Sequence, residues 1–220
     1  MHLSFAALVL VASAACGADT SIFTYKELSH GVVSLADFTV VRNRDEYHIS
    51  VNSTKGNERI TQDLLCDSTF STLWWHYQSD QNTDISFRRN GDRIELSGDL
   101  LGKQVKKSLT IDSHPWYQIV PLGLQTVSRD SAGRSKFWAV SVEKPVALKA
   151  ACFRVAEIAD APLPGRREIA CRRFHLKIEG LLTQIWVGDY FVGREDHAFV
   201  YYQGYSFGSK KPTETIEVVK

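Results

Sequence analysis

From residue 21 onward, apolar and polar positions alternate with a period of two. Tyr47, Ile49 and Val51 alternate with His48, Ser50 and Asn52, and Ile85 and Phe87 alternate with Ser86 and Arg88. Successive side chains of an extended chain point to opposite faces, so this pattern predicts half-buried β-strands. Asn90-Gly91 then leads into Arg93-Ile94-Glu95-Leu96, a strong hairpin signal. The cleanest run sets Phe174, Leu176 and Ile178 against Arg173, His175, Lys177 and Glu179. Lys107, Leu109 and Ile111 continue a strand, and further β-runs cover 22–27, 32–42, 58–66, 73–78, 137–142, 147–158, 182–187, 198–202 and 215–219. Short strands at this spacing predict an all-β fold: a single strongly curved antiparallel sheet or half-barrel of about 10–12 strands. The pattern argues against a βαβ enzyme fold.

One segment breaks the rhythm. Residues 113–124 carry Pro115, Pro121 and a dense apolar load. Ser113 can cap a helix whose first position lies near Pro115, so a short helix is expected there, interrupted around Pro121 and lying against the sheet. Residues 128–136, SRDSAGRSK, read as a polar loop. Neither side of that loop has an obvious core of its own, and there are no internal repeats. One β-rich domain over 19–220 is expected.

Ahead of it, residues 3–15 are uncharged and rich in Ala, Leu and Val. The run is shorter than the roughly 20 apolar residues a membrane-spanning helix needs. Its end in small residues reads as a signal peptide over 1–18, cut after Ala14, Ala15 or Ala18. Ser13-Ala14-Ala15-Cys16-Gly17 also resembles the lipobox of bacterial lipoproteins, with Ser13 where Leu or Val is usual. That resemblance implies lipidation at Cys16; the alternative is a cysteine discarded with the signal. An exported chain is expected, periplasmic or anchored to the envelope by lipid, with no transmembrane span.

Export makes the remaining cysteines informative. Cys66, Cys152 and Cys171 are an odd number, which leaves one thiol unpaired. Cys152 and Cys171 flank the turn-like Asp160-Ala161-Pro162-Leu163-Pro164-Gly165, and a hairpin centred there makes them cross-strand neighbours. A Cys152–Cys171 disulfide is one expectation, and two small buried residues the other. The charge balance, 26 basic against 25 acidic residues, lacks the footprint of a nucleic-acid binder. With 44% hydrophobic residues the chain can build a core.

Catalytic and cofactor motifs are missing. The sequence has no Gly-x-Ser-x-Gly elbow, His-Glu-x-x-His pair, phosphate-binding glycine loop or Cys-x-x-Cys. Its histidines never fall at metal-ligand spacing, so no metal and no cofactor are expected. A hydrolase would need a site assembled in space around Cys66 or His197. Asn52-Ser53-Thr54 matches a glycosylation acceptor.

Aromatic residues are the stronger clue. Trp74-Trp75-His76-Tyr77, Trp116-Tyr117, Phe137-Trp138 and Phe199-Val200-Tyr201-Tyr202 place rings at adjacent positions, which in a strand face opposite ways. Both faces are covered, or the outer rings are partly exposed, or the sheet curves around an apolar cavity.

The order of elements is also informative. Phe23-Thr24-Tyr25 is followed by Gly31-Val32-Val33-Ser34-Leu35-Ala36, then Asn90-Gly91 and Gly102-Lys103. A Pro-Trp-Tyr segment interrupts the sheet, and Cys171-Arg172-Arg173-Phe174-His175-Leu176 precedes Ile185-Trp186-Val187. This order resembles an uncharacterised family of bacterial envelope proteins with a domain of unknown function, itself similar to the LolA/LolB lipoprotein carriers. The resemblance implies a curved antiparallel sheet closed by helices over an apolar cavity, and carries over no catalytic residue.

The expected function is therefore a non-enzymatic envelope protein that binds a lipid or other hydrophobic ligand. Trp74, Trp75, Trp116, Tyr117, Ile119, Leu122, Trp138 and Trp186 are the candidate lining, with 115–124 as a lid. The alternative is a structural or interaction protein that presents an aromatic sheet face to an envelope protein partner.

Overall fold

A computed structural model describes residues 19–130, 132–142, 145–158, 170–179, 186–206, 209 and 211–219. The signal segment with Cys16, and residues 182–185 of one expected strand, lie outside the described residues. The chain runs through β1 (Asp19–Ser29), β2 (Val32–Asn43), β3 (Glu46–Lys55), β4 (Glu58–Asp67), β5 (Thr72–Ser79), β6 (Thr83–Asn90), β7 (Arg93–Leu100) and β8 (Lys103–Thr110). A helix, α1 (Val120–Arg129), leads to β9 (Arg134–Ser141), β10 (Val146–Ile158), β11 (Cys171–Ile178), β12 (Trp186–Gly193), β13 (Phe199–Ser206) and β14 (Glu214–Val218).

All fourteen strands form one antiparallel sheet in the order β8-β7-β6-β5-β4-β3-β2-β1-β14-β13-β12-β11-β10-β9. The count exceeds the ten to twelve expected because each alternating run became its own strand. The sheet is a meander in two arms, joined in the middle where β1 pairs with β14 from Tyr25↔Val218 to Ser29↔Glu214. Its turns are short. Between β6 and β7 the loop is Gly91-Asp92, with Asn90 still paired to Arg93. Gly91 takes the positive φ of 59° that a two-residue hairpin requires at its first position.

The sheet curls around one core. Ile49, Leu64, Trp75, Ile85, Phe87, Ile94, Phe137, Phe174, Leu176 and Tyr202 are at most 2% exposed on its inner face. Rings interlock there, Trp75 stacking on Phe87 at 4.6 Å and meeting Trp116 edge-on at 6.5 Å.

The two ends, β8 and β9, are not hydrogen-bonded to each other. The segment between them bridges the gap. Trp138 N–H donates to Pro115 O at 2.8 Å and Tyr117 N–H to Trp138 O at 2.9 Å, while Thr72 N–H donates to Trp116 O at 2.6 Å. Residues 115–117 are thus tied to β9 on one side and to the start of β5 on the other. Outside this seam the Asp112 carboxylate receives Lys149 Nζ, Trp138 Nε1 at 2.8 Å and His114 Nδ1 at 2.6 Å. The Lys149 and Trp138 hydrogen bonds hold that carboxyl far below the usual range. The free flank of β8 carries Lys103, Lys106 and Lys107, charges that discourage edge-to-edge pairing.

Two expectations need correcting. The helix begins at Val120, with Pro121 in its first turn, and continues through Ser128 and Arg129, which had read as loop. Proline is tolerated there because the first-turn N–H groups need no intrahelical partner. Residues 115–118 stay outside the helix, with Trp116 in an isolated bridge to Trp138. Nor does a disulfide join Cys152 to Cys171. Cys152 sits opposite Leu176 and Cys171 opposite Ile158, six residues apart along β10 or about 20 Å. They also belong to different clusters, Cys152 in the main core and Cys171 with Phe191 and Tyr201.

Candidate functional site

The inner face is not filled evenly. Under β5–β8 it is packed with Trp75, Ile85, Phe87 and Ile94. Under β1–β4 the inward positions carry Ser34, Ala36, Ser53 and Gln62, and there a cavity of about 370 Å³ opens. Its apolar wall is Tyr25, Phe38, Val51, Ile60, Tyr190 and Ile216, and its roof is the turn from Gln118 to Pro121 at the head of α1. The volume lies at the low end of ligand pockets, which span roughly 300–1,000 Å³.

The roof is fixed rather than loose. Gln118 lays its amide along the edge of β9, accepting from Val140 N–H at 3.1 Å and donating from Nε2 to Val140 O at 3.1 Å. Its Oε1 also accepts the Trp116 indole N–H at 3.0 Å. The side chain acts as one more rung of the ladder.

One end of the cavity is polar. Glu27 continues the inward series Phe23, Tyr25, Glu27 of β1, and Lys55 ends the series Ile49, Val51, Ser53, Lys55 of β3. Glu214, at the start of β14, faces the same way and lies diagonally across from Glu27. Burial, the charge of Glu214 and a hydrogen bond to it raise the pKa of Glu27, and Lys55 opposes them weakly. These effects favour the protonated form of Glu27. Tyr202 Oη donates to Glu214 Oε2 at 2.9 Å. Gly204 makes this reach feasible, because a Cβ there would collide with the Tyr202 hydroxyl. Tyr190, whose ring is 4.5 Å from that of Tyr202, is 6% exposed and makes no hydrogen bond to a described residue. Burial and the two carboxyls push its pKa up.

Of the residues chosen from sequence, Ile119 lines this cavity. Trp75, Trp116, Tyr117 and Leu122 are at most 4% exposed and form solid core around it. Trp74 faces outward beside Arg88 and Glu95 in an open groove. Trp138 stands at the seam, and the side chain of Trp186 lies outside the described residues. Segment 115–124 is a roof held by backbone bonds, not a hinged lid.

Neither hydrolase candidate gains a catalytic partner among the described residues. The Cys66 thiol meets Thr72 Oγ1 at 3.9 Å, and burial pushes its pKa up to about 12. His197 Nδ1 contacts Ser128 Oγ at 2.8 Å, but Arg172 Nη1 approaches the same nitrogen at 3.2 Å. Ser128 itself is 1% exposed, out of a substrate's reach. No group of three metal-ligating side chains occurs among the described residues. No helix there is long and apolar enough to cross a membrane.

An open, curled antiparallel sheet with an interior helix and a side cavity defines the class. No protein-family profile matches the chain, and no curated protein matches it. Among solved structures, it is similar to a β-barrel-like protein of the domain of unknown function DUF1849 from Brucella abortus. The TM-score is 0.52 at 5% identity, covering 90% of this chain and 93% of that one. At that identity the likeness concerns the fold alone.

Proposed function

We propose that the protein is a non-enzymatic, exported binding protein of the cell envelope that holds a small hydrophobic ligand beneath residues 118–121. The observation that carries this reading is the 370 Å³ cavity, walled by rings and aliphatic side chains and polar at one end. A mostly apolar pocket with a few convergent polar groups is the usual form of a small-molecule site. The cavity's size suits one short chain or ring system.

The test is titration with N-phenyl-1-naphthylamine, a neutral apolar dye. Saturable one-to-one fluorescence enhancement is expected, and Ile119→Trp, which fills the roof side, should abolish it while preserving the melting profile. Absence of dye binding to the wild type refutes the carrier reading. Unchanged binding in a folded Ile119→Trp variant refutes the site.

A second reading has its own observation. Leu28 pairs with Val33 across the β1–β2 hairpin, with Leu35 next along, and the three are 41%, 52% and 48% exposed. An exposed apolar strip of this kind suits a protein partner. Retention of an envelope partner that is lost in Leu28→Ser with Leu35→Ser, alongside an empty cavity, would favour it.

A further inference from the structure

The polar end of the cavity has a chemistry of its own. Glu27 and Glu214 converge from β1 and β14, and the wall beside them is made of the tyrosines at 25 and 190. The charged and titratable groups facing the pair are Lys55 from β3, Tyr190 from β12 and Tyr202 from β13, with Cys152 from β10 acting on Tyr190 from behind. Lys55 is exposed at the mouth, where water screens its charge, whereas both glutamates are half-buried. Tyr202 already serves Glu214, while Tyr190 lines the cavity, more than nine-tenths buried, with no hydrogen bond among the described residues. Its hydroxyl opens onto the cavity, where water or a ligand can complete it.

We propose that the occupant of this cavity carries a cationic nitrogen, which binds between the Glu27 and Glu214 carboxyls beside Tyr190. The inference rests on the carrier reading and adds the class of ligand: a primary or secondary alkylamine with a short apolar tail. Two carboxylates are the natural acceptors for an ammonium's donors, and charge-assisted hydrogen bonds are about twice as strong as neutral ones. Tyrosine faces add cation–π attraction. Two carboxyls fall short of the 6–8 oxygen ligands calcium takes, so an inorganic cation is the poorer fit. The proton balance is explicit. The ammonium enters with its charge, and Glu27 meets it as the carboxylate, giving up to solvent any proton it holds.

Decylamine, decanol and decanoate present one tail with cationic, neutral and anionic heads. Each is titrated calorimetrically into the full-length mature protein and competed against the dye. Decylamine is expected to bind about tenfold or more tighter than decanol, with decanoate weakest. Because a bound cation lowers the raised pKa of Glu27, binding should release protons on the acidic side of neutrality, read as a heat that varies with buffer ionisation enthalpy. Glu27→Gln imitates the protonated carboxyl, and should bring the amine and alcohol affinities within about twofold of each other. Dye binding with all three heads equivalent, or with decanoate preferred, overturns this inference and spares the carrier reading. Failure of the dye and all three amphiphiles overturns both.

Discussion

Gln118→Leu tests whether one side chain holds the seam. Leucine has a similar size but removes an acceptor for Val140 N–H, a donor for Val140 O and an acceptor for the Trp116 indole. Val140 is 5% exposed and Trp116 is fully buried, so water cannot readily replace the lost partners. Each orphaned buried group costs about 1–3 kcal/mol, and three of them sum to roughly 3–9 kcal/mol. Taking the lower bound, and a urea slope of about 1–3 kcal/mol/M, the unfolding midpoint should fall by about 1–3 M. Hydrogen exchange provides the local readout: the Val140 amide should lose protection before the amides of β6 and β7. An unchanged midpoint, with Val140 protected as in the wild type, would show that the amide does not staple the edge of β9. The seam would then depend on the backbone bonds at Pro115 and Tyr117 alone.

Trp75→Ala should cost about 3–5 kcal/mol, because the ring is 1% exposed and wedged between Phe87 and Trp116; a loss below about 1 kcal/mol in chemical denaturation would contradict the packing. Cys66 and Cys152, whose pKa values burial pushes up to about 12, should resist a thiol-reactive dye in the native state at pH 8 and label on unfolding, and rapid native labelling would refute their placement. The raised pKa of Glu27 has a definite sign: as pH rises above the ordinary value of 4.5 the folded state keeps a proton the unfolded chain has lost, so the pair's contribution to stability falls until the folded pKa is passed. Glu27→Gln should flatten that fall in a series of melts between pH 4 and 8, and a slope equal to the wild type's would show that the pair does not hold the proton.

The sheet is legible because period two survives in nearly every strand; the run expected over 182–187 is the exception, since the strand there starts at Trp186 and continues to Gly193. Proline misled the reading of the helix. Pro115 reads as a first helical residue, yet the helix starts at Val120 with Pro121 second, because the backbone of 115–117 is needed as a bridge between Thr72 and Trp138. Such a demand comes from the two ends of the sheet meeting in space, and no local pattern carries it. The cysteine pairing failed for a related reason: symmetry about Asp160–Gly165 was assumed, whereas the ladder sets Ala150 opposite Ile178 and shifts again after Arg154.

The candidate site was misjudged by size. Tryptophans drew attention as lining because they are large and apolar, and those same properties make Trp75 and Trp116 the best fillers of a core. The cavity lies where inward residues are small, at Ser34, Ala36 and Ser53. One signal was available. Glu27 is in phase with Phe23 and Tyr25, Lys55 with Ile49 and Val51, and Glu214 with Ile216 and Val218. A charged residue in the inward phase of a strand marks either an open end of the sheet or a polar site, and three such residues within four neighbouring strands, β3-β2-β1-β14, mark one place.

That placement also accounts for how the fold tolerates the space. The cavity opens to solvent, so water fills it when no ligand is present, and Glu27, Ser34, Ser53, Lys55 and Gln62 offer that water hydrogen-bond partners. Water on the apolar wall below Phe38, Val51 and Ile216 has few partners, and its displacement by an alkyl tail is favourable. Water at the carboxyl end is well held, and a ligand gains there only if its head replaces those hydrogen bonds. The inner face therefore selects by head group, and retains by tail.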